Sequence, residues 1–147
     1  MKVGRLGCLI GITILGLSKP AAADIFSQVL VQINQERAKA GLAEVVLDEN
    51  LNRLAGEWAA EVGRRDALVH RSDILKLEAE YGYSYMNENL YFSSAEPSPA
   101  RMVAAWMNSP GHRRNLLNAQ IDRIGLGMGK SATGYYVVFN GAVHSRQ

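Results

Sequence analysis

The sequence predicts an α+β layered domain, and three observations carry that expectation. Amphipathic helical periodicity dominates the first half of the chain, extended runs come in the middle and at the end, and strict strand-helix-strand alternation is absent. Composition sets the frame around them. The 147 residues, 48% hydrophobic and 20% charged, have a mean hydropathy of −0.08, which excludes disordered, collagen-like and multi-span membrane chains. A chain of this size buries roughly two-thirds of its unfolded surface, enough for a core without metal or disulfide staples. With no internal repeat, low-complexity tract or dividing linker, one domain is expected.

Met1 to Ala23 reads as a secretory signal peptide, leaving a mature domain over 24–147. Lys2 and Arg5 supply a positive start, Leu9 to Leu17 a short apolar run, and Ala21-Ala22-Ala23 a small-residue cleavage site before Asp24. The apolar run falls well short of the roughly 18 residues that span a bilayer, so export to the periplasm or beyond is expected. Cleavage removes Lys2, Arg5 and Lys19, and the formal net charge passes from +2 to −1. The nucleic-acid partner that a pI of 8.8 would suggest is thereby dismissed. Cleavage also removes Cys8, the only cysteine, which excludes a disulfide framework and thiol catalysis together.

Each element follows from local signals. Asp24 is expected to cap a first helix that buries Ile25, Phe26, Val29, Leu30 and Ile33, with Gly41 as its left-handed stop. Val45 to Leu47 reads as extended. Asp48 opens a second helix with Leu51, Leu54, Ala55, Trp58, Ala59 and Val62 on one face, fading by Gly63. Asp66 to His70 turns the chain, and Ser72 is expected to cap a short helix over Asp73 to Glu80 that ends near Gly82. Tyr83 to Phe92 reads as a strand. Ser98 and Pro99 begin a third long helix on Met102, Val103 and Trp106, and Ser109-Pro110-Gly111 is expected to end it. A short helical segment after His112 uses Leu116 and Leu117. The chain closes on a hairpin in which Ile124, Leu126 and Met128 alternate with glycines, Ala132 to Gly134 turn, and Tyr135 to Phe139 returns. Gly125, Gly127 and Gly129 lie inside that strand and precede no helix, so they are not a nucleotide loop.

The candidate chemistry rests on few residues. Of three histidines, His70 and His112 each follow an apolar helix, where a side chain can point into a cleft, and Glu88 lies between them in Asn87-Glu88-Asn89. Two imidazoles and one carboxylate make a three-ligand zinc set with an open fourth position. The wide spacing matches no short local motif, and a histidine beside a turn is usually a capping or hydrogen-bonding residue, so both readings stand. Tyr81, Tyr83, Tyr85 and Tyr91 read either as an amphipathic rim for a ligand or as a strand pattern. Arg113 and Arg114 read as an anion site or, with better reason, as one ion pair that fixes the loop bearing His112. Ser72 and Ser109 lack the setting of a hydrolase nucleophile.

Several segments resemble the bacterial branch of the CAP superfamily, the cysteine-rich secretory, antigen 5 and pathogenesis-related proteins, also called SCP-like extracellular domains. They are Ile33 to Leu42, Leu47 to Leu51, His70-Arg71-Ser72, Asn87 to Leu90, the run Ala105-Trp106-Met107-Asn108-Ser109-Pro110-Gly111-His112-Arg113-Arg114-Asn115-Leu116-Leu117, and Ile124 to Gly127. The resemblance implies a three-layer α-β-α sandwich with a central cleft lined by two histidines and two acidic residues, which in some members holds zinc or another divalent ion. His70, Glu88 and His112 carry over as cleft residues and as candidate metal ligands. Asn89, Tyr85, Ser109 and Arg113 are placed either behind these residues, supporting them, or around the rim. The second acidic residue would fall just after Trp106, where Met107, Asn108 and Ser109 stand instead. A metal-bound water needs a separate base, and with Glu88 as a ligand none is evident. A binding module for a lipid, glycan or peptide is therefore the expected function. A metal-dependent hydrolase acting on peptides or cell-envelope material is the alternative.

Overall fold

Residues 22–145 are described by a computed structural model of the chain. The expected signal peptide as far as residue 21, Cys8 included, lies outside them. α1 (Ala22–Lys39) starts two residues before Asp24, which therefore stands in its first turn instead of capping it. The helix buries Ile25, Val29 and Ile33 and gives way to Gly41, whose φ of +71° is open to glycine without a Cβ clash. After β1 (Val46–Leu47), Asp48 caps α2 (Glu49–Arg65), its carboxylate accepting from the Leu51 N–H at 3.0 Å. α2 runs two residues past Gly63 and ends at Asp66, which adopts a left-handed φ of +52°. That carboxylate accepts from the Ser131 hydroxyl at 2.7 Å, the Tyr136 hydroxyl at 2.9 Å and the Thr133 hydroxyl, which holds the unusual backbone in place.

α3 (Ile74–Tyr81) has Asp73, and not Ser72, at its cap position; the Asp73 carboxylate pairs with Arg71 at 2.8 Å and gives the helix no cap bond. β2 (Tyr83–Ser93) follows, then α4 (Pro99–Asn108) and α5 (Pro110–Leu116). Pro110 opens α5 as well as ending α4, because the N–H it lacks would be unpaired at a first helical position. His112 consequently lies in the first turn of a helix, not in a turn after one. β3 (Arg123–Lys130) and β4 (Tyr135–His144) form the closing hairpin, with β4 running five residues past Phe139.

The four strands form one sheet in the order β1-β3-β4-β2, with β1 parallel to β3 and the other pairs antiparallel. Side-chain alternation divides the layers. Ile124, Leu126, Val137 and Phe139 meet Ile25, Val29, Ile33, Met102, Val103 and Trp106, so α1 and α4 cover one face. Met86, Leu90, Val138 and Ala142 face Leu51, Leu54, Ala55, Ala59 and Leu77, so α2 and α3 cover the other.

The glycines of β3 explain how closely α2 lies on the sheet. A Cβ at Gly125 would come within 2.1 Å of the Leu51 carbonyl carbon, one at Gly127 within 2.2 Å of that of Ala55, and one at Gly129 within 2.0 Å of the Ala59 carbonyl oxygen. Four helical residues advance about 6 Å and two strand residues about 6.6 Å, so the two periods stay in step along this seam. On the other side of the sheet, Arg37 is wholly buried and bonds only to carbonyl oxygens: Ala43 at 2.8 Å, Leu116 at 2.8 Å, Asn118 at 2.9 Å and Ile121 at 3.4 Å. It joins the end of α1 to the segment between α5 and β3.

Gly127→Ala will lower stability by about 1–3 kcal/mol in urea unfolding, because a methyl group there forces α2 off the strand. Burial raises the pKa of the Asp48 carboxyl, but the Leu51 N–H, the Tyr83 hydroxyl and Arg123 outweigh it and hold the group below its ordinary value. Its contribution is present above the unfolded value of about 3.9 and lost as pH falls through the folded one. The stability difference between the native protein and Asp48→Asn will therefore be larger at pH 7 than at pH 3, measured by urea unfolding at both.

Candidate functional site

β2 brings Glu88 to the α2 face of the sheet, and the loop after α2 carries His70 over it. The His70 Nδ1 lies 2.8 Å from Glu88 Oε1, which also accepts from the Arg71 N–H at 3.1 Å. The two side chains differ sharply in setting: His70 is 62% exposed and Glu88 is 1% exposed. Burial pushes the Glu88 carboxyl above its ordinary range, and the hydrogen bonds from His70 and Arg71 only partly oppose it.

The loop itself is fastened to α2 on both sides of His70. The Trp58 indole N–H donates to the Val69 carbonyl at 3.0 Å. The Arg71 guanidinium donates to the Leu54 carbonyl at 3.2 Å and stacks over the Trp58 ring, 5.4 Å from its centroid. Trp58 is thus half core residue and half loop anchor, a division made possible by its apolar body and polar edge.

His112 approaches from α5. Burial lowers its pKa and the nearby His70 lowers it further, so both causes favour the neutral imidazole. Three asparagines attach α5 to β2. The Asn89 side chain donates to the His112 carbonyl at 3.0 Å, and Asn115 donates to the Glu88 carbonyl at 3.1 Å and to Asn89 Oδ1 at 2.8 Å. Asn87 donates to the Asn115 carbonyl at 3.3 Å. Nearby, the Glu78 carboxylate accepts from the Met86 N–H at 2.7 Å and the Trp106 indole donates to the Leu90 carbonyl at 3.0 Å.

The four supporting or rim candidates take different positions. Asn89 is fully buried and, with Tyr85, belongs to the strand face opposite Glu88; Tyr85 packs against the core under α1 and α4. Ser109 occupies the α5 cap position without a side-chain cap bond. Arg113 is exposed, and among the described residues neither it nor Arg114 forms an ion pair. Asn115 does the fastening that was expected of an arginine. The Asn87-Glu88-Asn89 alternation in an otherwise apolar strand was the available signal for it.

The expected three-ligand set is not assembled. Among the described residues no group of three His, Cys, Asp or Glu side chains stands where it could hold a metal ion. The reason is the Glu88 carboxylate, whose Oε1 is taken by His70 and Arg71 and whose Oε2 is buried without a partner. Two imidazoles remain, one fewer than the three protein ligands of catalytic zinc.

A groove of about 690 Å³ lies elsewhere, between α1 and α4. Val31, Ala100, Val103, Ala104 and Met107 provide its apolar surface, and Gln28, Gln32, Gln35 and Asn108 its amides. Met107 and Asn108, which stand where the resemblance called for an acidic residue, open onto this groove.

The model of the Cysteine-rich secretory protein family, CAP, matches residues 30–141. The chain belongs to the CAP family. Its CAP domain is 30% identical over 124 residues to YkwD of Bacillus subtilis (strain 168), a match that takes in 79% of this chain and 47% of that protein, so the chain spans about half of its relative's length. An outer surface protein from Borrelia burgdorferi shares the fold with a TM-score of 0.75 at 21% identity, over 86% of this chain and 97% of that one. NaASP2, solved with Zn2+, shares it with a TM-score of 0.61 at 13% identity, over 89% and 83% of the two chains. The α-β-α sandwich of the CAP domain is thus established. No helix among the described residues is long and apolar enough to cross a membrane.

Asn115→Ala will leave the Glu88 carbonyl and Asn89 Oδ1 without their donor, at a cost of about 1–3 kcal/mol. Hydrogen exchange will show the amides of α5 losing protection before those of α4.

Proposed function

We propose that this CAP domain works outside the cytoplasm as a binding module and carries out no hydrolysis with its own side chains. The observation that supports this reading best is the groove between α1 and α4. Its volume of about 690 Å³ falls in the range of small-molecule sites, which are mostly apolar with a few polar groups that fix orientation. An apolar strip along Val31, Val103 and Met107 beside the amides of Gln32, Gln35 and Asn108 suits an amphipathic ligand. A lipid chain would lie on the strip, with its polar head on the amides.

The cleft supports the same conclusion by what its carboxylate does. Glu88 Oε1 is engaged with His70 and the Arg71 backbone and Oε2 is buried, so neither oxygen is presented to a substrate water in bulk solvent. Export, inferred from Met1 to Ala23, places the module where lipid and envelope material are available.

Ala104 is exposed on α4 and lines the groove. Ala104→Trp will fill it and weaken binding of a fluorescent fatty acid at least about tenfold, a loss of 1.4 kcal/mol, without changing the melting temperature. Competition with an N-acetylglucosamine oligomer separates a glycan ligand from a lipid. Equal affinity of both proteins for the fatty acid would remove the groove as its seat.

A further inference from the structure

The seam between α2 and β3 stops short of closing the edge of the sheet. β1 covers β3 only at Arg123 and Ile124. Asp48 then donates its N–H to the Ile124 carbonyl at 2.9 Å, and the chain rises into α2. The next outward amide of β3, that of Leu126, donates to Asn52 Oδ1 at 2.9 Å, so Asn52 lies on the flank of α2 that overhangs this edge. By strand alternation the amides of Met128 and Lys130 also face outward. The helical positions that step with them are Gly56 and Ala60, which have no polar side chain to offer. Among the described residues the backbone N–H and C=O groups of Met128 and Lys130 on this edge have no hydrogen-bond partner.

The surfaces above and below the open stretch are suited to close contact. Above it, Gly56 has open space where a Cβ would stand and Ala60 is exposed. The bulkier Leu54 and Trp58 lie on the opposite flank of α2, packed with Met86 and Leu90 of β2. Below it, α1 turns Phe26 and Leu30 to the same edge. Both are half-buried and share an i, i+4 stripe with Asn34. The Asn34 amide bonds the Val45 N–H at 2.9 Å and the Val45 carbonyl at 3.0 Å, just ahead of β1, which fixes the side that stripe faces.

We propose that this stretch is the interface for a second copy of the chain, the two β3 strands pairing antiparallel about a two-fold axis. Met128 stands opposite Lys130 of the second copy. Its N–H donates to that carbonyl and its carbonyl accepts from that N–H, and the axis repeats both bonds. All four open groups are thereby satisfied. Asp48 sets the register: Met128 opposite Met128 of the second copy would put Ser131 of the second copy beside Gly125, where Asp48 already stands.

The helices select this occupant over a lone peptide strand. α2 lies over the gap between β3 and β4, since it rests on the β3 glycines while Ala55 and Ala59 pack with Val138 of β4. Two such helices across a β3–β3 pair stand about 10 Å apart, at the packing distance of helices whose facing flanks are small. A lone peptide would pair with the same backbone groups and leave the flanks of α2 and α1 uncovered. β2, at the far edge, has outward groups held by α3, α4 and α5, so association ends at two molecules.

Sedimentation equilibrium over a micromolar-to-millimolar series tests the proposal, and the mass will rise from one chain to two. Gly56→Asn sets over the Met128 N–H the side chain that already caps Leu126, in open space. Asparagine also suits a helix interior better than glycine. This variant will weaken association at least about tenfold without lowering the melting temperature. Lys130→Pro, which deletes one outward N–H, will weaken association likewise and decides the matter should Gly56→Asn fail to fold. Hydrogen exchange will show the Met128 and Lys130 amides protected only at high concentration, and the Leu126 amide at every concentration. A single-chain mass throughout the series would overturn the proposal. So would a dimer in which the Met128 and Lys130 amides exchange as fast as in the single chain, or association undiminished in both variants. Neither variant alters a residue of the α1–α4 groove, so fatty-acid binding there is judged separately.

Discussion

The contact between the backbone of α2 and the backbone of β3 is the constraint from which the rest of the architecture follows. Gly125, Gly127 and Gly129 bring the helix against the strand with no side chains between them, and the matching rise of the two elements lets the contact persist for three steps. Because α2 is fixed at that depth, Trp58 reaches the Val69 carbonyl and Leu54 offers its own carbonyl to Arg71. Those bonds place His70 over Glu88. A helix riding higher on side chains would carry the loop away from the sheet, and the buried carboxyl would lose its exposed partner.

The opposite side of the sheet relies on polar groups to hold its loops. Arg37 gathers four carbonyl oxygens and forms no ion pair among the described residues, an arrangement in which a delocalised cation is satisfied by dipoles. Burial lowers its pKa, yet a guanidinium retains its proton even so. The asparagines of β2 and α5 do comparable work without charge. In a domain with no cysteine among its described residues, these buried polar contacts cross-link distant segments as disulfides do in small exported proteins.

The sequence made the fold legible where period and punctuation agree. The apolar spacing of α1, α2 and α4 gave their buried faces, and Gly41 and Pro99 marked a stop and a start that the backbone respects. Legibility failed where one residue type serves two purposes. Gly63 looks like a stop and is a packing position; Pro110 ends one helix and begins the next, which displaced His112 from turn to helix. Of the candidate residues, His70 and Glu88 are joined by a direct hydrogen bond, and sequence spacing could not say which carboxylate oxygen the backbone occupies. Arg71 donates through its main chain, and no side-chain motif reports that.

β2 is the outer strand of the sheet, and its outward-facing backbone would ordinarily be a template on which another chain could add a strand. Glu78 occupies the Met86 N–H, Asn115 the Glu88 carbonyl and Trp106 the Leu90 carbonyl. Three helices thus each spend one side chain on closing the strand to strangers. On the export route proposed above, a chain that crosses a membrane unfolded and then folds among many copies of itself gains protection from aggregation there. The same asparagine that seats α5 also keeps neighbouring molecules from pairing sheet to sheet.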